Sequence, residues 1–256
     1  MPQAELGVVM PAYNEEECIA KVVVHWLATL NEQFSRDRVF MLVLNDGSKD
    51  GTGAVLDRLA ADHSNLIVVH QKNSGHGATV LNGYRRAVEL APQWIFQVDS
   101  DDQFQPSDFA KVWERRAESR FITGYRRSRN DPFHRLVITR VVRLLNLAAF
   151  GCYLRDANVP YRLMETRFLK QLIDLLPGDL FAPNIFLSVL AAKAGQNPLE
   201  IAITHKERDT GVVSIVRWKL IKVCLQCAQQ LVQFRLSLGQ KLRSLRAETS
   251  RAAKVS

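Results

Sequence analysis

The chain has 256 residues, 47% hydrophobic and 23% charged, which suits one sizeable globular core and excludes a largely disordered protein. Lys and Arg exceed Asp and Glu by 34 − 26 = 8, so the surface favours anionic partners: nucleotides, lipid phosphates or nucleic acid. Four cysteines, at 18, 152, 224 and 227, give no disulfide framework and fit a reducing compartment.

Met-Pro-Gln-Ala-Glu leads straight into an apolar run with no basic region before it, so no secretory signal is expected and the chain reads as cytosolic. Short apolar runs at 6–10, 39–44, 66–69 and 94–98 alternate with stretches of helical period such as 16–30 and 52–62. Strands without polar alternation are buried on both faces, so the predicted fold is α/β and Rossmann-like, a mainly parallel sheet flanked by helices. Ligands of such sheets bind beyond the carboxyl ends of the strands. Pro11-Ala12-Tyr13-Asn14-Glu15 follows the first strand, Asn45-Asp46-Gly47-Ser48 the second and Asp99-Ser100-Asp101 the fourth. Each cluster alone is also ordinary turn and cap chemistry, and their convergence on one sheet edge is the signal.

Another strand is expected at 121–124, then a mostly helical pattern with an Arg-rich link through Arg126, Arg127, Arg129, Arg135, Arg140 and Arg143, and a last strand at 199–203. No window reaches the roughly 18 apolar residues of a membrane-spanning helix, because Arg143 and Asn146, or Arg217, Lys219 and Lys222, interrupt the candidates. From 214 to 237 the polar residues Lys219, Lys222, Gln226, Gln229, Gln233 and Ser237 form a narrow stripe on a mainly apolar helix, with Arg217 and Arg235 off the stripe. Its apolar face is covered by its own domain, a partner subunit or a membrane interface. The basic tail (Arg235, Lys241, Arg243, Arg246, Arg251, Lys254) with the single acid Glu248 favours the membrane. The expected organisation is a catalytic domain at 1–212 and an amphipathic, basic segment at 213–256, peripheral on the cytoplasmic face of the membrane.

Releasing a diphosphate from a sugar requires that its developing charge be neutralised, which a divalent cation does as a Lewis acid. Two carboxylates one residue apart at a strand end can hold such a cation and leave positions for phosphate oxygens and water. Asp99 and Asp101 fit this role, Gln103 can add a carbonyl oxygen, and Asp102 is expected to point outward. Alone, such a triplet is a weak signal. Neither G-x-G-x-x-G after the first strand nor a P-loop is present, which argues against a dinucleotide oxidoreductase and a P-loop NTPase. Cys224-x-x-Cys227 lies in an apolar stretch with no second pair and reads as buried thiols. The histidines show no ligand spacing, and no nucleic-acid-binding module accompanies the basic charge.

The strings VVMPAYNEE, VLNDGSKDGT, NSGHGA and QVDSDDQFQP, in this order and spacing, resemble the family-two inverting glycosyltransferases of GT-A fold. Within them the sequence is similar to the polyprenyl-phosphate transferases of the dolichyl-phosphate mannose synthase type, strongly over 6–125 and more loosely to about 214. The resemblance implies transfer of a sugar from a nucleoside diphosphate donor to polyprenyl phosphate, with Mg2+ or Mn2+ on Asp99, Asp101 and Gln103. It implies that Pro11, Ala12, Tyr13 and Glu15 frame the nucleotide, that Asp46 contacts base or ribose, and that Lys72, Asn73, Gly75, Gly77 and Ser100 belong to the donor site, the glycines allowing close backbone approach. Arg126 matches a glycine-x-arginine position, Arg208 with Gly211 and Ser214 a late signature, His205 a site position, and His76 falls in the glycine loop.

A phosphate acceptor is already anionic and calls for cationic positioning rather than a general base, a role open to Arg126, Arg127, Arg129 and Arg208. Three positions depart from the pattern: Asn45 replaces an aspartate, Pro160 a glycine within DANVPYR, and Asn184 a glutamate. Two other functions stay open, transfer to a saccharide hydroxyl with Asp156 as base, and a nucleotide-sugar sensor without turnover. No nucleic-acid partner is expected, and oligomers are possible.

Overall fold

The computed structural model describes residues 4–126, 147–148, 150–177, 180–206, 229–230, 232–236 and 239. Its first strands are the apolar runs of the sequence, the first three lengthened by one or two residues: β1 (Leu6–Ala12), β2 (Val39–Asn45), β3 (Leu66–His70) and β4 (Trp94–Val98). Between them lie α1 (Ile19–Gln33), α2 (Thr52–Asp62) and α3 (His76–Glu89). A 3₁₀ turn, Pro106–Asp108, and α4 (Phe109–Trp113) lead to β5 (Phe121–Arg126), followed by β6 (Tyr161–Glu165), α5 (Thr166–Ile173), α6 (Pro183–Lys193) and β7 (Leu199–Ile203).

The seven strands form one sheet in the order β3-β2-β1-β4-β6-β5-β7. β1 pairs in parallel with β2 and β4, β2 with β3, and β5 with β7, whereas β6 runs antiparallel to both β4 and β5. The α/β, mainly parallel sheet is as expected. The expectation of a mostly helical pattern beyond residue 124 missed β6, whose second residue, Arg162, is fully buried.

Side chains alternate along the strands into two cores. On one face Val8, Met10, Val43, Phe96 and Tyr161 meet Trp26 of α1 and Phe109 of α4. Trp26 lies 5.5 Å from Phe96 and 6.1 Å from Tyr161 between ring centroids, tilted contacts that add about 0.5–1.5 kcal/mol each to simple burial. On the other face Val9, Leu42, Leu44 and Ile95 pack on Tyr84 of α3, Phe168 of α5 and Phe186 of α6. Phe234, within the segment 213–256, inserts into this second core at 6.3 Å from Phe150 and 5.2 Å from Phe186. The described part of that segment therefore packs on the second core, with Val232 and Leu236 on its exposed side.

Candidate active site

β1, β2 and β4 are parallel neighbours, so their carboxyl ends share one edge of the sheet. Pro11 and Ala12 are buried within β1, and the chain leaves the strand at the exposed Tyr13. Asn14, at φ +54°, turns the chain in the left-handed region that Asn tolerates. Its N–H donates to Ser48 Oγ at 3.0 Å and its Oδ1 accepts from the Lys49 N–H at 2.8 Å. The Glu15 N–H donates to Thr52 Oγ1 at 2.9 Å, and Glu16 Oε2 accepts from the Gly51 N–H at 2.8 Å. These bonds sew the first loop to the second. Cys18 links the first loop to the third, with its Sγ 3.3 Å from Glu15 Oε2 and 3.5 Å from the Ser100 carbonyl.

Asp46 is only 3% exposed. Its Oδ1 accepts from Gln71 Nε2 at 2.9 Å and from the Ser74 N–H at 2.8 Å, and its Oδ2 from the Gly75 N–H at 3.0 Å. Asn73 Nδ2 donates to the Asp46 carbonyl at 2.9 Å. Burial pushes the Asp46 carboxyl up, but the bonds from Gln71, Ser74 and Thr79 outweigh it and hold the group below its ordinary value. Asp46 thus shapes the turn that carries Lys72, Asn73 and Gly75 into α3. Gly75 enters the helix at φ +88°. Gly77 is required by a close approach within the protein, since a Cβ there would sit 2.2 Å from the Phe181 carbonyl oxygen. Beside it a cavity of about 480 Å³ is lined by Ser74, Gly75, His76, Phe181, Gln230 and Gln233, among others.

Asp99, just past β4, is partly exposed, with His76 Nε2 3.9 Å from its Oδ1. Gln97 Nε2 donates to the same oxygen at 3.1 Å. Burial raises the Asp99 carboxyl to about 6; His76 opposes the shift and Asp101 adds to it. The Gln103 N–H donates to Asp101 Oδ1 at 3.3 Å, closing the loop on itself. Asp102, at φ +56°, turns away to Lys21 Nζ at 2.6 Å, as expected for an outward residue. Gln103 Nε2 donates to the Lys206 carbonyl at 3.3 Å, and the Lys206 N–H returns to the Gln103 carbonyl at 2.9 Å. An isolated bridge between Phe104 and His205 continues this contact. His205 is thereby brought to the site loop; Arg208, Gly211 and Ser214 lie outside the described residues, as do Arg127, Arg129, Cys224 and Cys227.

The donor set suits a hard divalent cation: two carboxylates in one loop, one of them raised by burial, a cost that a bound positive charge would offset. Among the described residues no group of three or more His, Cys, Asp or Glu comes together.

At the end of β5, Arg126 Nε and Nη2 donate to Asp156 Oδ2 and Oδ1 at 2.8 and 3.2 Å. Asn45 fills its departure position internally, with Nδ2 2.9 Å from His70 Nδ1 and Oδ1 accepting from the Ser48 N–H at 3.1 Å. Gln97 is the member of the site that sequence reasoning passed over. The available signal was one polar residue inside the apolar run Trp-Ile-Phe-Gln-Val.

A family model described as glycosyl transferase family 2 matches residues 7–170, more than half of the chain. The chain belongs to that family. This glycosyltransferase is similar to polyprenol monophosphomannose synthase of Mycolicibacterium smegmatis, 29% identical over 224 residues, 82% of this chain and 81% of the relative. It is similar also to undecaprenyl-phosphate mannosyltransferase of Micrococcus luteus, 26% identical over 231 residues, 83% and 93% of the two chains. Its GT-A fold matches glucosyl-3-phosphoglycerate synthase of Mycobacterium tuberculosis with a TM-score of 0.64 at 17% identity, over 91% of this chain and 80% of that one. That neighbour was solved with Mn2+, UDP-glucose and phosphoglyceric acid. The family and the fold expected from the sequence are both borne out.

Proposed function

We propose that this glycosyltransferase moves a hexose-type sugar, with inversion, from a nucleoside diphosphate donor to polyprenyl phosphate at the cytoplasmic face of a membrane, and requires Mg2+ or Mn2+. The observation that carries the reading is the placement of Asp99 and Asp101 at the strand edge shared with the Pro11 and Asp46 loops, in a chain similar to the two relatives named for lipid-phosphate acceptors. A divalent cation on Asp99, Asp101 and Gln103 would supply Lewis-acid neutralisation of the departing diphosphate. An oxygen of the acceptor phosphate forms the new bond to the anomeric carbon as the bond to the diphosphate breaks. Pro11, Ala12, Tyr13 and Glu15 frame the nucleotide, Asp46 contacts its base or ribose, and Lys72, Asn73, Gly75, Gly77 and Ser100 line the donor side. Arg126 and Arg208 position the acceptor phosphate.

Transfer to a saccharide hydroxyl would need a base, and Asp156, the candidate, is 6% exposed with both carboxylate oxygens bonded to Arg126. This favours an acceptor that brings its own negative charge. The basic segment 213–256 attaches the enzyme peripherally to anionic lipid, a reading supported by its charge and by the exposed Val232 and Leu236. Among the described residues no helix is long and apolar enough to cross a membrane.

The test is transfer of labelled sugar to polyprenyl phosphate with and without Mn2+. Asp101→Ala should lower the metal-dependent rate at least about 100-fold, in line with loss of several kcal/mol of charge stabilisation. Unchanged metal-dependent transfer would overturn the assignment. Saccharide acceptors that outcompete polyprenyl phosphate would redirect it to the hydroxyl reading.

A further inference from the structure

Gln97 is fully buried in β4, with the apolar Phe96 and Val98 on either side. A buried carboxamide is tolerated only when its donors and acceptor find partners. On one side Gln97 Nε2 donates to Asp99 Oδ1 at 3.1 Å. On the other, Gln97 Oε1 accepts from Asn184 Nδ2 at 3.0 Å and lies 3.1 Å from the Tyr84 hydroxyl, which itself lies 2.9 Å from Asn184 Oδ1. Burial pushes the Tyr84 hydroxyl well above its ordinary value of 10, so it keeps its proton.

The donors and acceptors close without a donor–donor or acceptor–acceptor contact. Tyr84 has a single proton, and Asn184 Oδ1 is the acceptor 2.9 Å from it, so Tyr84 donates there. That turns Asn184 Nδ2 toward Gln97 Oε1, and it leaves Gln97 Nε2 facing Asp99. Asn184 is itself anchored, its carbonyl accepting from Arg162 Nη1 at 3.0 Å and from Ser188 Oγ at 2.9 Å. Tyr84 and Gln97 are 0% exposed and Asn184 4%. The polar column ends on the Asp99 carboxylate, which accepts the Gln97 N–H.

We infer that Gln97, locked by Asn184 and Tyr84, is a positioning residue that holds Asp99 by one carboxylate oxygen in the orientation required to take the cation. This rests on the assignment of Asp99 and Asp101 as metal ligands. Groups that orient a ligand from behind influence metal affinity without touching the metal.

The experiment titrates Mn2+ into the full chain with UDP present, following free Mn2+ by electron paramagnetic resonance, with the thermal midpoint of each variant measured in parallel. Gln97→Met keeps the volume and removes the donor, and should raise the apparent dissociation constant of Mn2+ about 10- to 100-fold. Asn184→Asp places an acceptor against Gln97 Oε1, which forces the Gln97 amide to turn its N–H2 away from Asp99. It should weaken Mn2+ binding by a similar factor although residue 184 does not contact Asp99. Tyr84→Phe removes the hydroxyl that fixes the Asn184 amide but leaves the Gln97 donor present, and should weaken Mn2+ binding by less than Gln97→Met does.

If Asp101→Ala abolishes Mn2+ binding while Gln97→Met and Asn184→Asp bind as tightly as the natural chain, the inference is overturned and the metal assignment stands. If losses across the three variants follow their thermal midpoints rather than the donor polarity at Asp99, the role is structural and the inference again fails. Equal Mn2+ binding by the natural chain and Asp101→Ala would overturn the metal assignment, and the inference with it.

Discussion

Arg126 and Asp156 form a two-bond ion pair in which the aspartate side chain is 6% and the arginine side chain 19% exposed. Removing the arginine takes two hydrogen bonds from a buried carboxylate on which Arg162 also acts, so the loss falls at the lower end of the roughly 3–5 kcal/mol of a fully buried pair. Arg126→Met should therefore lower the free energy of urea unfolding by about 3 kcal/mol, and adding Asp156→Asn should recover at least half of it. A double-mutant cycle checks this, and additive losses would rule out the pairing. Each residue was visible in the sequence by itself, Arg126 as an acceptor contact and Asp156 as a possible base. Their partnership was not, because 30 positions separate them and only the return of the chain to β6 brings them together.

At the scale of elements, α3 meets the 180–181 segment so closely that Gly77 leaves no room for a methyl group, with a Cβ falling 2.2 and 2.5 Å from the carbonyl oxygens of Phe181 and Leu180. Backbone cannot yield as a flexible side chain does, so Gly77→Ala should cost about 1–3 kcal/mol and lower the thermal midpoint, measured by circular dichroism. An unchanged midpoint would show that the contact relaxes freely. The sequence placed this glycine in a donor loop for close approach; what approaches it is the protein's own backbone. β6 escaped notice for a related reason. A strand with a buried arginine contradicts the apolar pattern unless the guanidinium is satisfied inside, as Arg162 is by the carbonyls of Val159, Ala157 and Asn184 and by Ser188 Oγ. The start of α1 at Ile19 rather than near 16 has the same origin, since Glu15 and Glu16 are drawn into bonds with the second loop and Cys18.

Over the whole molecule, acid should act through carboxylates held below their ordinary value. Burial raises Asp46 and Asp108, but hydrogen bonds from Gln71, Ser74 and Thr79 to the first, and from Lys111 and Thr204 to the second, outweigh it, and both end below 3.8. A folded-state value below the unfolded one stabilises the protein above 3.8 and ceases to do so as pH falls through the lower folded-state values. The free energy of urea unfolding should decline from about pH 5 to about pH 2, and Asp46→Asn should flatten part of that decline. Equal slopes in the two proteins would remove Asp46 from the account.

Sheet class, the first four strands, the polar clusters at their ends and the family were all determined by the sequence itself, because burial on two faces and turn chemistry act over a few neighbouring residues. The tertiary structure alone decided the insertion of β6, the pairing of Arg126 with Asp156, the turn built on Asp46 and the column Tyr84-Asn184-Gln97 behind Asp99. Each is a polar side chain satisfied from a distant part of the chain, and hydropathy reads such a residue as a surface position until its partner is in place.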